Sequence, residues 1–165
     1  MSGSLLPDEL FALARRVVEE NRALGRTVTL AESCTGGLVA AALTEIPGSS
    51  AVLDRAFVTY SNAAKQQTIG VSADIIETFG AVSIACVWAM AQGALKHGSG
   101  DVAVAISGVA GPDGGSPSKP VGTVVFARAV RGEEAVHAEE RLFEGLDRPG
   151  VRLQAALVAL ELLLP

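Results

Sequence analysis

The sequence predicts an α/β fold, a three-layer α/β/α sandwich around a mixed β-sheet. Segments of helical periodicity alternate with short β-patterned runs through most of the chain, the order that packs helices on both faces of a sheet. The last two β-patterned runs instead follow one another through a short turn, so an antiparallel pair joins the sheet. Composition agrees: 49% of residues are hydrophobic, 4% are aromatic and 18 are glycine, which suits helices packed tightly on a sheet better than a β-sandwich. A chain of 165 residues can bury a proper core without a second domain, so residues 1–165 read as one.

Leu5, Phe11, Leu13, Val17 and Val18 recur among charged residues at helical spacing and predict an opening amphipathic helix ending near Leu24-Gly25. Thr27 to Ala31 is the first strand. A helix from Leu38 runs to about Ile46, where Pro47-Gly48-Ser49-Ser50 stops it. Ala56 to Tyr60 is the second strand, and Ser61-Asn62 offers a cap to a short helix through Ile69. Ser72 to Phe79 is a further short helix, and Ser83 to Lys96 is a long apolar one ended by His97-Gly98-Ser99-Gly100. Asp101 to Ser107 mixes small and β-branched residues as a buried strand does, then empties into Gly108 to Pro120, a loop with four glycines and three prolines. Val121 to Val130 and Ala135 to Phe143 are consecutive strands joined as a hairpin through Arg131-Gly132-Glu133-Glu134. A helix from about Pro149 closes the chain, with Leu153, Leu157, Leu160 and Leu164 predicted on one core-facing side.

The net charge of −5, with no basic stripe or interleaved aromatic set, works against nucleic acid as a partner. The longest uncharged central run, Gly80 to Leu95, is short for a bilayer and contains Ser83, Gln92 and Gly93, so no membrane association is expected. The first ten residues hold two acids and no base, unlike a secretory signal, and a cytoplasmic protein is expected. Cys34 and Cys86 lack the spacing of a zinc site and are expected to be reduced thiols. His97 and His137 are the only histidines, so a histidine-rich metal centre is not expected.

Chemistry concentrates at Ala31-Glu32-Ser33-Cys34-Thr35-Gly36-Gly37, which crowds nucleophiles and glycines at a strand-to-helix junction. The amides of the helix beginning at Leu38 are expected to point back at Ser33, Cys34 and Thr35 and to offer a site for an anion or oxyanion. Two glycines in a first helical turn cost roughly 1 kcal/mol each against alanine, so Gly36 and Gly37 imply a close backbone approach. The structural alternative is a capped helix with a glycine-rich turn before it. Glu32 is a ligand for a sugar hydroxyl or, equally, a favourable charge beside the helix.

Tyr60-Ser61-Asn62-Ala63-Ala64-Lys65 is the second constellation. If Asn62 caps its helix, Lys65 falls in the first turn, against the positive end of the dipole, where its pKa is pulled down and a neutral amine becomes accessible. A serine needs a base to become a nucleophile, and lysine serves where no histidine is placed. Ser33, Lys65 and Tyr60 could therefore supply nucleophile, base and proton relay. Cys34 is the rival nucleophile, more acidic near a helix N-terminus, or else a small buried hydrophobe. The run from Ser107 through Gly108 and Gly111 to Gly115 could wrap a ligand with backbone donors, although it matches neither the dinucleotide fingerprint nor a P-loop. Arg148 and Arg152, four residues apart on one helix face, could clamp a phosphate or be plain surface charge.

Taken together, Ala31–Gly37, Phe57-Val58-Thr59-Tyr60-Ser61-Asn62 with Lys65, and Ile106-Ser107-Gly108-Val109-Ala110-Gly111-Pro112 closely resemble the CinA C-terminal-domain family, from about Leu5 to Leu164. Its characterised members are nicotinamide-nucleotide amidohydrolases. The resemblance implies a stand-alone domain that deamidates nicotinamide mononucleotide to nicotinate mononucleotide and ammonia, a step of pyridine-nucleotide salvage, without a metal or cofactor. By position it implies Ser33 as nucleophile, Lys65 as general base and Tyr60 completing the pair. Glu32, Thr35, Gly36, Gly37, Asn62, Ser107, Gly108, Gly111 and Arg148 become the substrate-binding candidates, with the oxyanion near Thr35 to Gly37. The sequence departs from the family at Ile84, where an acidic residue is common, and that position is expected on a helix surface or subunit contact. The apolar Ile84 to Met90 stretch makes a homo-oligomer, a dimer or higher, the expected state. Two other readings remain: a nucleotide-binding regulatory or competence-associated module without turnover, and an amidase acting on a different amide.

Overall fold

The computed structural model describes residues 3–165. Strands β1 (Val28–Glu32), β2 (Leu53–Val58), β3 (Val102–Gly108), β4 (Thr123–Val130) and β5 (Val136–Leu142) form one sheet in the order β2-β1-β3-β4-β5. β1 runs parallel to both β2 and β3, while β3–β4 and β4–β5 are antiparallel. Helices α1 (Asp8–Ala23), α2 (Leu38–Thr44) and α6 (Arg148–Leu163) cover one face. Helices α3 (Asn62–Ile69), α4 (Ala73–Phe79) and α5 (Ile84–His97) cover the other. The three-layer sandwich on a mixed sheet is therefore present, hairpin included.

Strand alternation divides the core unequally. Leu30, Val104, Ile106, Val124 and Phe126 face α1, α2 and α6. Ala31, Ala103, Ala105 and Ala127 face α5, and side chains this short let that helix lie close against the sheet. α3 in turn crosses α5 at Gly93, where a Cβ would sit 2.0 Å from the Ile69 carbonyl oxygen. Hydroxyl or carboxylate caps start four of the helices: Ser61, Ser72, Ser83 and Asp147 accept from the amides of Ala64, Asp74, Cys86 and Gly150. Each such cap stabilises its helix by about 1 kcal/mol.

Several boundaries differ from those read in the sequence. α1 begins at Asp8, after Pro7, and leaves Leu5 exposed. α2 stops at Thr44, with Ile46 packing into the core just beyond. β2 lies about one turn of chain earlier than expected, because Leu53 rather than Ala56 pairs with Val28. Asp54 and Arg55 masked the strand; at this sheet edge Asp54 accepts from Thr29 Oγ1 and the Ser99 amide. In α6 the buried side is Val151, Ala155, Val158, Ala159, Leu160 and Leu163, whereas Leu153, Leu157 and Leu164 are half-buried flanks. That helix packs against α1 as well as the sheet, which rotates and widens its apolar arc. The Ile84 to Met90 stretch divides: Cys86, Val87 and Met90 are buried, while Ile84 and Trp88 face outward. Among the described residues no helix is long and apolar enough to cross a membrane.

The topology creates the site. The β1-to-β2 connection passes over one face through α2, and the β2-to-β3 connection passes over the other through α3, α4 and α5. Chains that leave adjacent parallel strands on opposite sides open a crevice at the strands' carboxyl ends. Ser33, Tyr60 and Ser107 all follow or end those strands.

Candidate active site

The turn after β1 continues the parallel ladder, since the Ser33 amide donates to the Ile106 carbonyl. Gly36 and Gly37 then adopt φ of 55° and 95°, a conformation that side chains resist. Gly37 is the N-cap, so the glycines precede α2 rather than occupying its first turn. Of the first amides of α2, only that of Leu38 turns back on this run, donating to the Thr35 carbonyl, and none reaches Ser33 or Cys34. Val39 and Ala40 donate instead to the two oxygens of Glu32, at 3.0 and 3.1 Å. Glu32 is fully buried and neutralises the helix's positive end, so it is a cap and is unavailable to a sugar hydroxyl.

After β2, Ser61 rather than Asn62 caps α3, because Ser61 has the extended backbone and its Oγ reaches the Ala64 amide. Asn62 is the first helical residue and is exposed. Lys65 lies one position deeper in the helix than expected and is only 1% exposed. Helical side chains lean toward the N-terminus. Its ammonium therefore returns to the turn, where Nζ donates to Ser33 Oγ (3.0 Å), the Thr59 carbonyl (2.8 Å) and the Tyr60 carbonyl (3.1 Å). Ser33 Oγ lies 3.4 Å from the same Tyr60 carbonyl. All of these acceptors are neutral. Burial pushes the Lys65 pKa below its usual value of 10.5, with the thiols of Cys86 and Cys34 opposing the shift weakly. Burial also pushes the Cys34 thiol up to about 11, the reverse of the acidic thiol its position suggested.

Tyr60 divides its contributions. Its carbonyl meets the serine and lysine, while its hydroxyl, on a side chain 59% exposed, accepts from Arg148 Nη2 at 2.9 Å. Arg148 Nη1 also donates to the Gly111 carbonyl at 2.7 Å, so the arginine ties the second strand's loop to the third's. A cavity of about 220 Å³ lies between them and gathers Ser33, Tyr60, Asn62, Lys65, Ser107, Gly108 and Arg148 from the expected set. Ser107 spends its hydroxyl proton on the Ala81 carbonyl, drawing the α4–α5 connection in; Ala81 and Val82 line the cavity without any advance signal in the sequence, and Ala110 lines it from within the Ile106–Pro112 run. At Gly108 a Cβ would meet Cys34 Sγ at 3.1 Å and the Thr123 carbonyl at 3.0 Å, so a side chain there would crowd the floor. Gly36 and Gly37 shape the turn behind the cavity; Thr35 is not on the wall but directly follows Cys34, which lines it beside Ser33, and Gly111 enters through Arg148. Residues 112–118 of the glycine-rich loop are exposed and do not wrap the cavity.

Comparison with known proteins follows the same boundaries. The CinA C-terminal domain model matches residues 10–165. The chain belongs to the CinA C-terminal domain family. This CinA domain is 54% identical over 155 residues to the nicotinamide-nucleotide amidohydrolase PncC of Escherichia coli K12, covering 94% of this chain and 93% of that one. It is 48% identical over 157 residues to the enzyme of the same name from Pseudomonas putida, covering 95% and 96%. Its backbone is similar to the competence/damage inducible protein CihA from Agrobacterium tumefaciens, with a TM-score of 0.94 and 48% identity over 97% of this chain and 96% of that one. The CinA domain also matches a CinA-like protein of Syntrophotalea carbinolica, of whose length the match spans 32%.

Proposed function

We propose that this amidohydrolase cleaves the carboxamide of nicotinamide mononucleotide in pyridine-nucleotide salvage, with Ser33 as nucleophile and Lys65 as general base. The observation that carries the reading is the 3.0 Å contact between Lys65 Nζ and Ser33 Oγ, made by a lysine whose burial favours the neutral amine. Neutral Lys65 takes the Ser33 proton as Oγ bonds to the carboxamide carbon. The C–N bond of the tetrahedral intermediate then breaks, and Lys65 returns the proton to the departing nitrogen, which leaves as ammonia. Water attacks the resulting ester with Lys65 again as base, releasing nicotinate mononucleotide and restoring Ser33. Amides at Cys34 and Thr35 hold the oxyanion. Tyr60 acts on this chemistry through its carbonyl, and its hydroxyl with Arg148 meets the nucleotide end of the substrate; Asn62, Ser107 and Gly108 complete that wall. Cys34 is packing, since a thiol held up at about 11 supplies little thiolate at neutral pH.

The test is ammonia release from nicotinamide mononucleotide by the unaltered chain, by Ser33→Ala and by Cys34→Ala, each checked for a normal melt. Turnover retained in Cys34→Ala and lost in Ser33→Ala is expected. The reverse would move the nucleophile to Cys34. Binding without ammonia from the unaltered chain would favour a silent nucleotide-binding module, and release from other carboxamides alone would favour an amidase of different substrate. A cytoplasmic setting and self-association belong to the same reading; Phe79, Ile84 and Trp88 are exposed near one another in sequence, and light scattering of a monomer would remove the second element.

A further inference from the structure

The fifth residue of α6 does something that neither its charge nor its position in the sequence announces. Arg152 makes no ion pair among the described residues. Its Nε donates to the Cys34 carbonyl at 3.0 Å and its Nη2 to the Thr35 carbonyl at 3.1 Å. The planar fork of a guanidinium matches two successive carbonyls, and a lysine could reach one. The two other ties inside the turn run from the Gly36 amide to the Ser33 carbonyl and from the Leu38 amide to the Thr35 carbonyl. The Cys34–Thr35 peptide is therefore held from its oxygen side by Arg152 alone.

A trans peptide points its C=O and N–H in opposite directions. Holding the Cys34 oxygen toward α6 thus aims the Thr35 N–H to the far side of the turn, and that amide donates to no described residue. Thr35 Oγ1, also buried, has no partner either. Buried donors without acceptors are uncommon in folded proteins and are found where a ligand or reacting atom completes them. They sit here two residues from Ser33, in the turn that carries it.

We infer that Arg152 is a positioning residue: by gripping the Cys34 and Thr35 carbonyls it presents the Thr35 N–H to the oxyanion formed when Ser33 attacks. The inference rests on Ser33 being the nucleophile. Arg148, one turn earlier on the same helix, meets the cavity directly, so α6 serves the cavity's mouth with one arginine and the back of the nucleophile turn with the other.

The experiment is steady-state ammonia release from nicotinamide mononucleotide by Arg152→Met, Arg152→Lys and Arg152→Ala, with thermal melts and pH profiles of each. The expected result is a fall in kcat of about 10- to 100-fold in Arg152→Met, short of the roughly 10²- to 10³-fold seen when an oxyanion donor is deleted outright. KM stays within about twofold, and the rising pH limb stays in place because Lys65 is untouched. Arg152→Lys lies between the two, and millimolar guanidinium ion partly restores kcat in Arg152→Ala. An unchanged kcat overturns the inference. So does a raised KM with kcat retained, which would make Arg152 a substrate contact, and so does a loss that tracks the melt and ignores guanidinium. Should Ser33→Ala keep its turnover, the nucleophile assignment has failed instead; a dead Ser33→Ala beside a fully active Arg152→Met sinks the inference alone.

Discussion

Two strand-to-helix turns, one after β1 and one after β2, lie side by side and are built to opposite electrostatic plans. In the first, a buried carboxylate, Glu32, closes the helix N-terminus by accepting from Val39 and Ala40, and no positive end is left for substrate. In the second, a small hydroxyl, Ser61, does the capping, and a buried amine, Lys65, is folded back beneath the helix. The comparison teaches that a helix N-terminus beside an active site is not by itself the anion site. On the proposed mechanism, the anion-binding capacity of the first turn lies in the amides before the helix, and the second turn disfavours charge on Lys65 by burying it.

The largest expected effect comes from removing the buried amine. Lys65→Met should lower kcat by at least about 10³-fold while leaving nucleotide binding measurable by calorimetry, since base and nucleophile act as a unit. Binding lost together with turnover would mean that Lys65 holds substrate. In the unaltered enzyme, activity should rise with pH as Lys65 loses its proton, with a limb below the ordinary lysine value of 10.5. The same shift has a sign for stability: between the folded and unfolded pKa values the unfolded chain binds more protons, so this group makes stability rise with pH across that window. Cys86 on α5 and Cys34 in the nucleophile turn are the ionisable groups facing it, and both shift it the other way. A limb at or above 10.5 would break the contrast between the turns.

The next effect is on stability. Glu32→Ala strands the buried Val39 amide and the part-buried Ala40 amide and is expected to cost about 2–4 kcal/mol, and Glu32→Gln less, because one oxygen acceptor remains. Ser61→Ala, at an exposed cap, should cost about 1 kcal/mol. Urea unfolding of the three variants measures the ordering directly; equal losses at both caps would show that burial does not separate them.

Much of this was legible in the sequence, and the losses have physical causes. The strand order of patterns, the hairpin and the Ser33–Lys65 pair were readable because each leaves a periodic or chemical signature in side chains. β2 was misplaced because an edge strand can carry Asp54 and Arg55, whose charges are satisfied along the rim. The carbonyls of Thr59 and Tyr60, which hold Lys65, have no signature at all, since every residue owns a carbonyl. Arg152 was visible as a neighbour of Arg148 on one helix face, but its partners are main-chain oxygens more than a hundred positions away. The two readings of Glu32, sugar ligand or charge beside the helix, could not be separated in the sequence because its complete burial is a tertiary fact.

The crossing of α3 over α5 at Gly93 bears on how such an enzyme can diversify. Where a Cβ would strike the Ile69 carbonyl, the spacing between the lysine's helix and its support is set by main chain and cannot be retuned by exchanging one side chain for another. Asn62, by contrast, stands exposed at the rim with no side-chain hydrogen bond among the described residues, open to replacement without disturbing what lies beneath. Inheritance can therefore hold the reaction constant while the preferred substrate drifts, with novelty entering at the rim.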